Sequence, residues 1–293
     1  MRKLKRLFRK KRYRVVLNYL TLGIIALMLA ALYANPFRFA WREWFAAGSY
    51  YSHAPLIPII SGFLIWRKRG DFPYIAVNYS MLGFAFLVPG FLLRLLGDVW
   101  GSNSISLLSL PCFLTGIALF LFGRKMTRTV LFPLCFLLFM VTIPASLLDV
   151  LTFNMKLFAA RLSAGPMQLL AYPLIREGNV IHMTQSTVGV EDACSGLGSL
   201  ISLLALSTLC AYLVRASYPR RILLVLAAVP IAIIANVFRI IGTCLVANSF
   251  GAGIATHEVV HIAFGMMVFI IALGILILIG RAIKCRFSIG DVW

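Results

Sequence analysis

Long apolar stretches separated by short polar segments dominate the chain. About eight of these stretches are candidates to cross a membrane, because a spanning helix needs about 20 predominantly apolar residues. The second stretch is the shortest and the least typical of a span. The pattern therefore predicts an all-α fold, a polytopic bundle of about eight transmembrane helices. The stretches are 15–34, 54–67, 78–97, 103–122, 128–148, 194–214, 222–247 and 257–280.

The polar segments between these stretches differ in charge. Five of them are rich in Lys and Arg, and they alternate with segments that are much less basic. Because basic loops stay on the cytoplasmic side, the alternation predicts an even number of spans with both termini cytoplasmic. It divides the chain into a basic cytoplasmic tail at 1–14, a transmembrane domain at 15–280 and a cytoplasmic tail at 281–293. The five basic segments are MRKLKRLFRKKRYR, WRKRGD, GRKMTR, RASYPRR and RAIKCR.

Composition excludes two classes of protein. The chain has 61% hydrophobic and 13% charged residues, which is not the balance of a soluble domain. Its formal net charge of +19 would suit nucleic acid, but the basic start lacks the interleaved aromatic residues on which bases stack. No nucleic-acid partner is therefore expected, and this tail is expected to meet anionic membrane lipids. The apolar run at 15–34 is long for a signal-peptide core, so an uncleaved first helix is expected.

A long segment at 149–193 is predicted to lie on the outer side of the membrane. Its first part can place Leu151, Phe158 and Leu162 on one helical face, which is typical of a helix lying in the membrane interface. Continuation of the preceding span is the alternative. Its second part, REGNVIHMTQSTVGV, mixes β-branched and polar residues with glycines. This mixture predicts a short extended hairpin or loop that leads to the next span.

Three reactive side chains are predicted to share one depth at the outer face. Cys194 opens the sixth stretch from outside, Arg239 lies in the outer third of the seventh, and His261 lies in the first turns of the eighth. Thiol-based acyl transfer needs a nucleophile, a proton carrier and a group that stabilises an oxyanion. Because an arginine inside a span costs several kcal/mol, Arg239 is expected to face the bundle interior rather than to snorkel outward. Asn236, three residues earlier, shares its helical face.

The neighbours of Cys194 favour a reactive thiol over a packing cysteine. Glu191 precedes it, and Ser195 and Gly196 follow it at the start of a predicted helix. A helix N-terminus favours the thiolate, and the backbone N–H groups of a first turn are able to hold an oxyanion. The other cysteines lie in apolar runs or in the tail without a CxxC pair, so neither a disulfide framework nor a metal finger is predicted. His53, in YYSHAPLIP, is expected to contact substrate or to support the structure.

Two alternative functions stay open at this point. His257, Glu258 and His261 match H-E-x-x-H, a zinc-protease signature in which two imidazoles bind the metal and the carboxylate activates water. Such a site needs a third ligand, and no second motif points to the two candidates, Glu191 and His182. The other alternative is a non-enzymatic transporter or assembly factor, although the chain shows none of the internal repeats of many transporters.

The blocks that carry these residues resemble those of the exosortases. The cysteine block REGNVI…ACSGL, the arginine block PIAIIANVFRI and the histidine block HIAFG stand in the family's order. The early block YSHAPLIPIISGFLIWRKR is similar to the family's N-terminal pattern, and the resemblance covers about residues 50–280. Two departures accompany it. Gly198 stands where an arginine or another polar residue is expected, and His257 and Glu258 precede the family's histidine.

The resemblance implies a membrane cysteine protease or transpeptidase of a bacterial inner membrane, with its active site facing the periplasm. Its substrates are exported proteins that carry a C-terminal sorting signal, made of a short motif (often Pro-Glu-Pro), a membrane helix and a basic cluster. An unidentified acceptor takes the cleaved protein, and no cofactor or metal is implied. Cys194 is then the nucleophile, with Arg239 and His261 as partners whose roles are interchangeable on sequence grounds. The expected supporting or substrate-binding residues are Ser195, Gly196, Asn236, Glu191, His53 and His257.

Overall fold

Helices make up most of the structure, a computed structural model that is 78% helical. It describes residues 20, 23–46, 48–75, 77–190, 195–255, 257–283 and 286–287, with the backbone alone at 252, 258–259, 261–262 and 286–287. The predicted all-α class is confirmed. In chain order the helices are α1 Gly23–Leu32, α2 Ala34–Trp44, α3 Leu56–Arg67, α4 Phe84–Val99, α5 Asn103–Phe136, α6 Ala145–Leu169, α7 Leu197–Leu213, α8 Tyr218–Phe250, α9 Ala252–Ala255 and α10 Glu258–Ala282.

The number of spans predicted from the sequence is not confirmed. Within the described ranges, four helical runs are long and apolar enough to cross a membrane. A fifth is added if α1 and α2, bent by 62° at their junction, form one broken span. The four runs are Met81–Val99, Asn103–Met140, Tyr218–Phe250 and Ala263–Ala282.

Two features of the helices explain why the structure has fewer candidate spans than the eight predicted from the sequence. At 1.5 Å per residue, the 12 residues of α3 and the 17 of α7 reach about 18 Å and about 26 Å, short of the roughly 30 Å of a bilayer's hydrocarbon core. The predicted spans 103–122 and 128–148 also share the 38-residue run Asn103–Met140. That run is broken at Gly123, whose φ of 80° and ψ of 178° are not helical.

The segment predicted to lie outside the membrane begins with a helix and ends in a small sheet. Helix α6 includes the part predicted to be an interfacial helix. The predicted extended hairpin is confirmed as a three-stranded antiparallel sheet of β1 Leu174–Glu177, β2 Val180–Met183 and β3 Thr187–Gly189. The buried side chains of Ile181 and Val188 pack the sheet against α6 and α8. The sheet therefore leads the chain to the cysteine segment from the side of α8.

Contacts connect four of the five basic segments, either directly or through residues that adjoin them in the chain. The Lys68 ammonium donates to the Thr129 carbonyl at 3.1 Å and lies 5.5 Å from the centre of the Tyr212 ring. Two short strands, β4 Val214–Arg215 and β5 Arg286–Phe287, pair antiparallel. Basic segments that the charge pattern predicts to share one side of the membrane are thus neighbours in space.

Three clusters of buried apolar side chains hold the helices together. The first joins α2, α3 and α5, the second joins α6, the sheet and α8, and the third joins α7, α8 and α10. Large apolar side chains such as Phe84 and Phe91 of α4 are exposed, as expected of a surface that faces lipid. Helix α8 contributes to two clusters, with Ala232 in the third and Ile240 in the second. The polar residues between these two positions form the site described next.

Candidate active site

The structure describes most, but not all, of the residues singled out in the sequence. Cys194 and Glu191 lie outside the described residues. His261 belongs to the first turns of α10, and only its backbone is described. The predicted site residues described in full are Ser195, Gly196, Asn236, Arg239, His53 and His257.

A left-handed turn leads from the cysteine segment into α7. Gly196 is the N-cap residue of this helix and has a φ of 82°, a conformation that favours glycine. Its carbonyl accepts the N–H of Leu200 at 2.9 Å. Ser195 is buried, and its hydroxyl accepts the N–H of Leu197 at 3.3 Å. Helix α7 therefore begins at Leu197, three residues after Cys194 in the chain. The positive end of its dipole is the end of the helix that is nearer to the cysteine in the sequence.

Gly196 also lets α7 approach α8 very closely. A Cβ atom at this position would lie 2.8 Å from Nδ2 and 2.9 Å from Cγ of Asn236. Asn236 is buried in α8, one helical turn before the buried Arg239. Both side chains of this pair are thus buried in the bundle rather than exposed at its surface. Asn236 thus connects the turn that follows Cys194 to the helix that carries Arg239.

We predict that Gly196→Ala lowers processing of a substrate by roughly 5- to 150-fold. A non-glycine residue at a left-handed φ costs about 1–3 kcal/mol, and each 1.4 kcal/mol is about tenfold in a rate or population. The new methyl group also displaces Asn236 from the turn. The measurement is the initial rate of substrate cleavage in membranes that contain equal amounts of each protein.

Gly101→Ala is the matched control for this change. Gly101 also has a positive φ, 63°, but a Cβ atom there would meet no atom within 4 Å. It lies in the turn between α4 and α5, so its strain is expected to lower thermal stability in detergent with little effect on processing. Cleavage by Gly196→Ala within twofold of the unmodified protein would contradict the role assigned to this turn.

Arg239 lies against α10 at the glycine of the histidine block. A Cβ atom at Gly265 would lie 3.5 Å from both Cζ and Nη2 of Arg239, which is ordinary van der Waals contact. A second glycine, Gly242 of α8, brings the helices together, since a Cβ atom there would be 2.6 Å from Cε1 of Phe264. Gly265 follows His261 by one helical turn. The guanidinium is therefore packed beside the turn of α10 that follows the predicted histidine.

A cavity of about 530 Å³ opens beside the guanidinium of Arg239. One wall is polar and comes from segment 48–53 and the first turns of α7. The opposite wall is the apolar face of α10 formed by Met266, Phe269 and Ile270. Met266 and Ile270 are largely exposed, so this wall continues into the surface of the bundle. None of the described lining residues carries a carboxylate, which leaves Arg239 as the charged group among them.

His53 belongs to the polar wall of this cavity. Its Nδ1 lies 2.9 Å from the Ser202 hydroxyl of α7. Burial lowers the pKa of His53, and the backbone carbonyl of Phe139 opposes that shift in part, so the ring is neutral at pH 7. The segment is fixed by Tyr51, whose buried hydroxyl accepts the N–H of Ile143 at 2.8 Å. The expected supporting role of His53 is thus a defined contact with α7.

The zinc signature is only partly helical. His257 is the N-cap residue of α10 with a ψ of 131°, and its side chain is exposed. His182, one of the two candidate third ligands, is in β2 with its Nδ1 3.2 Å from the Thr187 hydroxyl. Among the side chains that the structure describes, no group of three His, Cys, Asp or Glu residues could hold a metal ion. Glu258 and His261 are not in that set.

Sequence reasoning missed two contacts that shape the cavity. Ser202 was not singled out, although it follows Gly198 by four residues and so shares its helical face. Gly198 departs from the family pattern, and packing explains why a glycine is found here. A Cβ atom at this position would lie 3.3 Å from Cα of Tyr50. A larger residue would push segment 48–53 away from α7. The i, i+4 spacing puts Gly198 and Ser202 on one helical face, but nothing in the sequence indicates that segment 48–53 packs against it.

A buried arginine beside a cavity with one polar wall, inside a bundle of apolar helices, is the main polar feature of this membrane protein within the described residues. The family model described as transmembrane exosortase matches residues 41–278. The chain belongs to this family, as its motifs predicted. Comparison with curated proteins and with solved structures finds no match.

Proposed function

We propose that this exosortase is a membrane cysteine protease of the transpeptidase type that cleaves the C-terminal sorting signal of exported proteins. The observation that carries the proposal is that the three family motifs meet at the part of α8 that contains Asn236 and Arg239. The turn after Cys194 packs on Asn236, Arg239 packs on Gly265 of the histidine block, and Arg239 lines the cavity. The turn after Cys194, Arg239 and Gly265 belong to the start of α7, to α8 and to α10, respectively. Such convergence is expected of a catalytic site and is not needed for a membrane scaffold.

In the first half of the reaction, the thiolate of Cys194 attacks the carbonyl carbon of the scissile peptide bond. The oxyanion that forms is stabilised by the Arg239 guanidinium and by N–H groups of the first turn of α7. His261 gives a proton to the leaving amine. The C–N bond breaks, the membrane tail leaves, and the exported protein is held as a thioester on Cys194.

In the second half, a water molecule or the amine of an acceptor attacks the thioester. His261 is able to take the proton of this nucleophile, and the C–S bond breaks to regenerate the thiolate. The apolar face of α10 beside the cavity suits the membrane helix of a sorting signal, and the substrate's basic cluster would then lie at the cytoplasmic side. In this proposal the site faces the periplasm from the inner membrane. The substrate protein is the main partner, with membrane lipids around the bundle.

The proposal is tested by asking which chemical class of inhibitor stops processing. Membranes containing the protein are mixed with a tagged substrate that ends in a short motif, a membrane helix and a basic cluster, and cleavage is followed on a gel. The protein is a variant in which alanine replaces every cysteine except Cys194, which leaves one of the six thiols. We expect iodoacetamide to stop cleavage and the zinc chelator phenanthroline to leave its rate unchanged.

Two further arms make this result specific. Saturating substrate should slow inactivation by iodoacetamide, because a thiol inside the site is shielded when the site is occupied. Inhibition by the chelator without inhibition by iodoacetamide would overturn the proposal. It would instead favour the zinc signature His257, Glu258 and His261.

A further inference from the structure

A serine and a histidine form a second reactive pair in the cavity. The Ser202 hydroxyl and His53 Nδ1 are 2.9 Å apart although the residues are 149 positions apart in the chain. Both side chains line the cavity that also contains Arg239. The pair belongs to the polar wall, which is formed by segment 48–53 and α7, whereas His261 belongs to α10. The cavity therefore has an imidazole that the proposed function leaves without a role.

A proton relay through this pair uses one tautomer of His53. Nε2 is buried, and Nδ1 faces the Ser202 hydroxyl. In the tautomer with hydrogen on Nε2, Nδ1 has the lone pair and accepts the hydrogen of Ser202. The serine oxygen is left with its lone pairs available to a molecule in the cavity.

The pair is also held in place by backbone packing. Tyr50 contacts the first turn of α7 at Gly198, and the Ala54 N–H donates to the Tyr51 carbonyl at 2.8 Å. His53 is within this folded turn, and its own carbonyl accepts the N–H of Leu56 at 3.1 Å. A base held next to a hydroxyl is an arrangement used for proton transfer in acyl-transfer enzymes.

We propose that Ser202 and His53 are the proton relay that activates the acceptor in the second half of the reaction. This inference rests on the proposed function, and it moves that proton transfer from His261 to the pair. The acceptor's oxygen or nitrogen forms a bond to the thioester carbonyl carbon and gives its proton to the Ser202 oxygen. Ser202 passes its own proton to Nδ1 of His53. The C–S bond breaks and leaves Cys194 as the thiolate, and His53 then returns its proton to water.

The relay makes a prediction that a merely structural hydrogen bond does not. Loss of the relay should slow the step in which the thioester is broken and leave the step that forms the thioester intact. A damaged site would slow both steps together. Since a general base typically contributes about 10²–10⁴ in rate, steady-state turnover should fall by roughly 100-fold or more. The covalent adduct of the enzyme and its substrate should then accumulate.

The experiment compares Ser202→Ala and His53→Gln in purified full-length protein with the tagged substrate. Samples are quenched in acid and run on a gel without reducing agent. We expect one equivalent of tail fragment per enzyme to be released at close to the normal rate. An enzyme–substrate adduct should follow, at least about tenfold more abundant than in the unmodified protein. Hydroxylamine, a nucleophile that attacks thioesters without a base, should release the adduct and restore turnover.

One control is a second serine of α7, and the other is a histidine outside the cavity. Ser207→Ala removes a buried hydroxyl of α7 that donates to the Leu204 carbonyl, and His182→Gln changes an exposed histidine of the sheet. Neither residue lines the cavity, and neither variant should accumulate adduct. Ser202→Ala removes a single oxygen atom, so it tests the relay even if His53→Gln fails to fold.

Each outcome supports or overturns the relay. Tail release and turnover that fall in parallel, without adduct, would overturn it and leave the pair a structural contact. Unchanged turnover in both variants would overturn it as well. If adduct is absent from every protein while cleavage persists without Cys194, the proposed function itself has failed, and the relay fails with it.

Discussion

Cys194→Ala should reduce processing of a substrate with a tripartite tail to an undetectable level. Loss of the nucleophile in a protease that acts through a covalent intermediate lowers turnover by a factor on the order of 10⁶. The residue follows the sheet and immediately precedes the Ser195–Gly196 turn into α7, where the helix dipole favours a thiolate. The measurement is co-expression of protein and tagged substrate, followed by the size of the tag on a gel.

Two companion variants make the Cys194→Ala result interpretable. Cys194→Ser should also be inactive, since a serine hydroxyl needs a general base to act as nucleophile whereas a thiol ionises near neutral pH. Cys210→Ala, a change near the far end of α7, should process normally, because this partly buried cysteine is not among the residues that line the cavity. Processing that survives in Cys194→Ala would remove the thiol mechanism and direct attention to His257, Glu258 and His261.

Local patterns in the sequence predicted the class of fold and the position of Arg239. An arginine in an apolar helix has few stable positions, and an asparagine one turn earlier indicates its face, so the buried pair Asn236 and Arg239 followed from spacing alone. The mixture of β-branched residues and glycines in REGNVIHMTQSTVGV likewise predicted the extended segment. In each case the physical constraint acts within a few residues of the chain.

The features that the sequence did not predict depend on long-range packing. Hydropathy marks the stretch that forms α3 as short, but it does not reveal that α7 is shorter than a bilayer or that Asn103–Met140 is one run broken at Gly123. The pairing of Ser202 with His53 requires segment 48–53 to lie on α7, which depends on Gly198 and Tyr50. These contacts join residues about 150 positions apart, beyond the reach of a periodicity argument.

Arg239→Lys is the second variant for which we expect a large loss, about 10²–10³-fold in processing. Loss of one oxyanion donor typically has this effect. Lysine keeps the positive charge, so the electrostatic setting of the buried site is largely preserved. A lysine side chain lacks the planar fork of donors that an arginine presents. Because Gly265 fixes the guanidinium against α10, a shorter and rounder head group cannot occupy the same place beside the cavity.

The matched control for this change is Arg221→Lys in the same helix. Arg221 donates from Nε to the Ala216 carbonyl at 3.1 Å near the start of α8, so the control removes a guanidinium far from the cavity. Its processing should stay within about twofold of the unmodified protein, since isolated polar contacts outside a site contribute about 1 kcal/mol or less to stability. Processing by Arg239→Lys at a similar level would contradict the oxyanion role.

A third measurement separates the charge of Arg239 from its geometry. If the guanidinium favours the thiolate of Cys194, Arg239→Gln should shift the pH profile of Cys194 alkylation by iodoacetamide to higher pH, because removal of a positive charge disfavours the thiolate. Arg239→Lys keeps the charge and should leave that profile nearly unchanged while still losing processing. A thiol that reacts identically in all three proteins would mean that Arg239 acts on the oxyanion alone. A shift in both variants would mean that the position of the charge, as well as its sign, activates the cysteine.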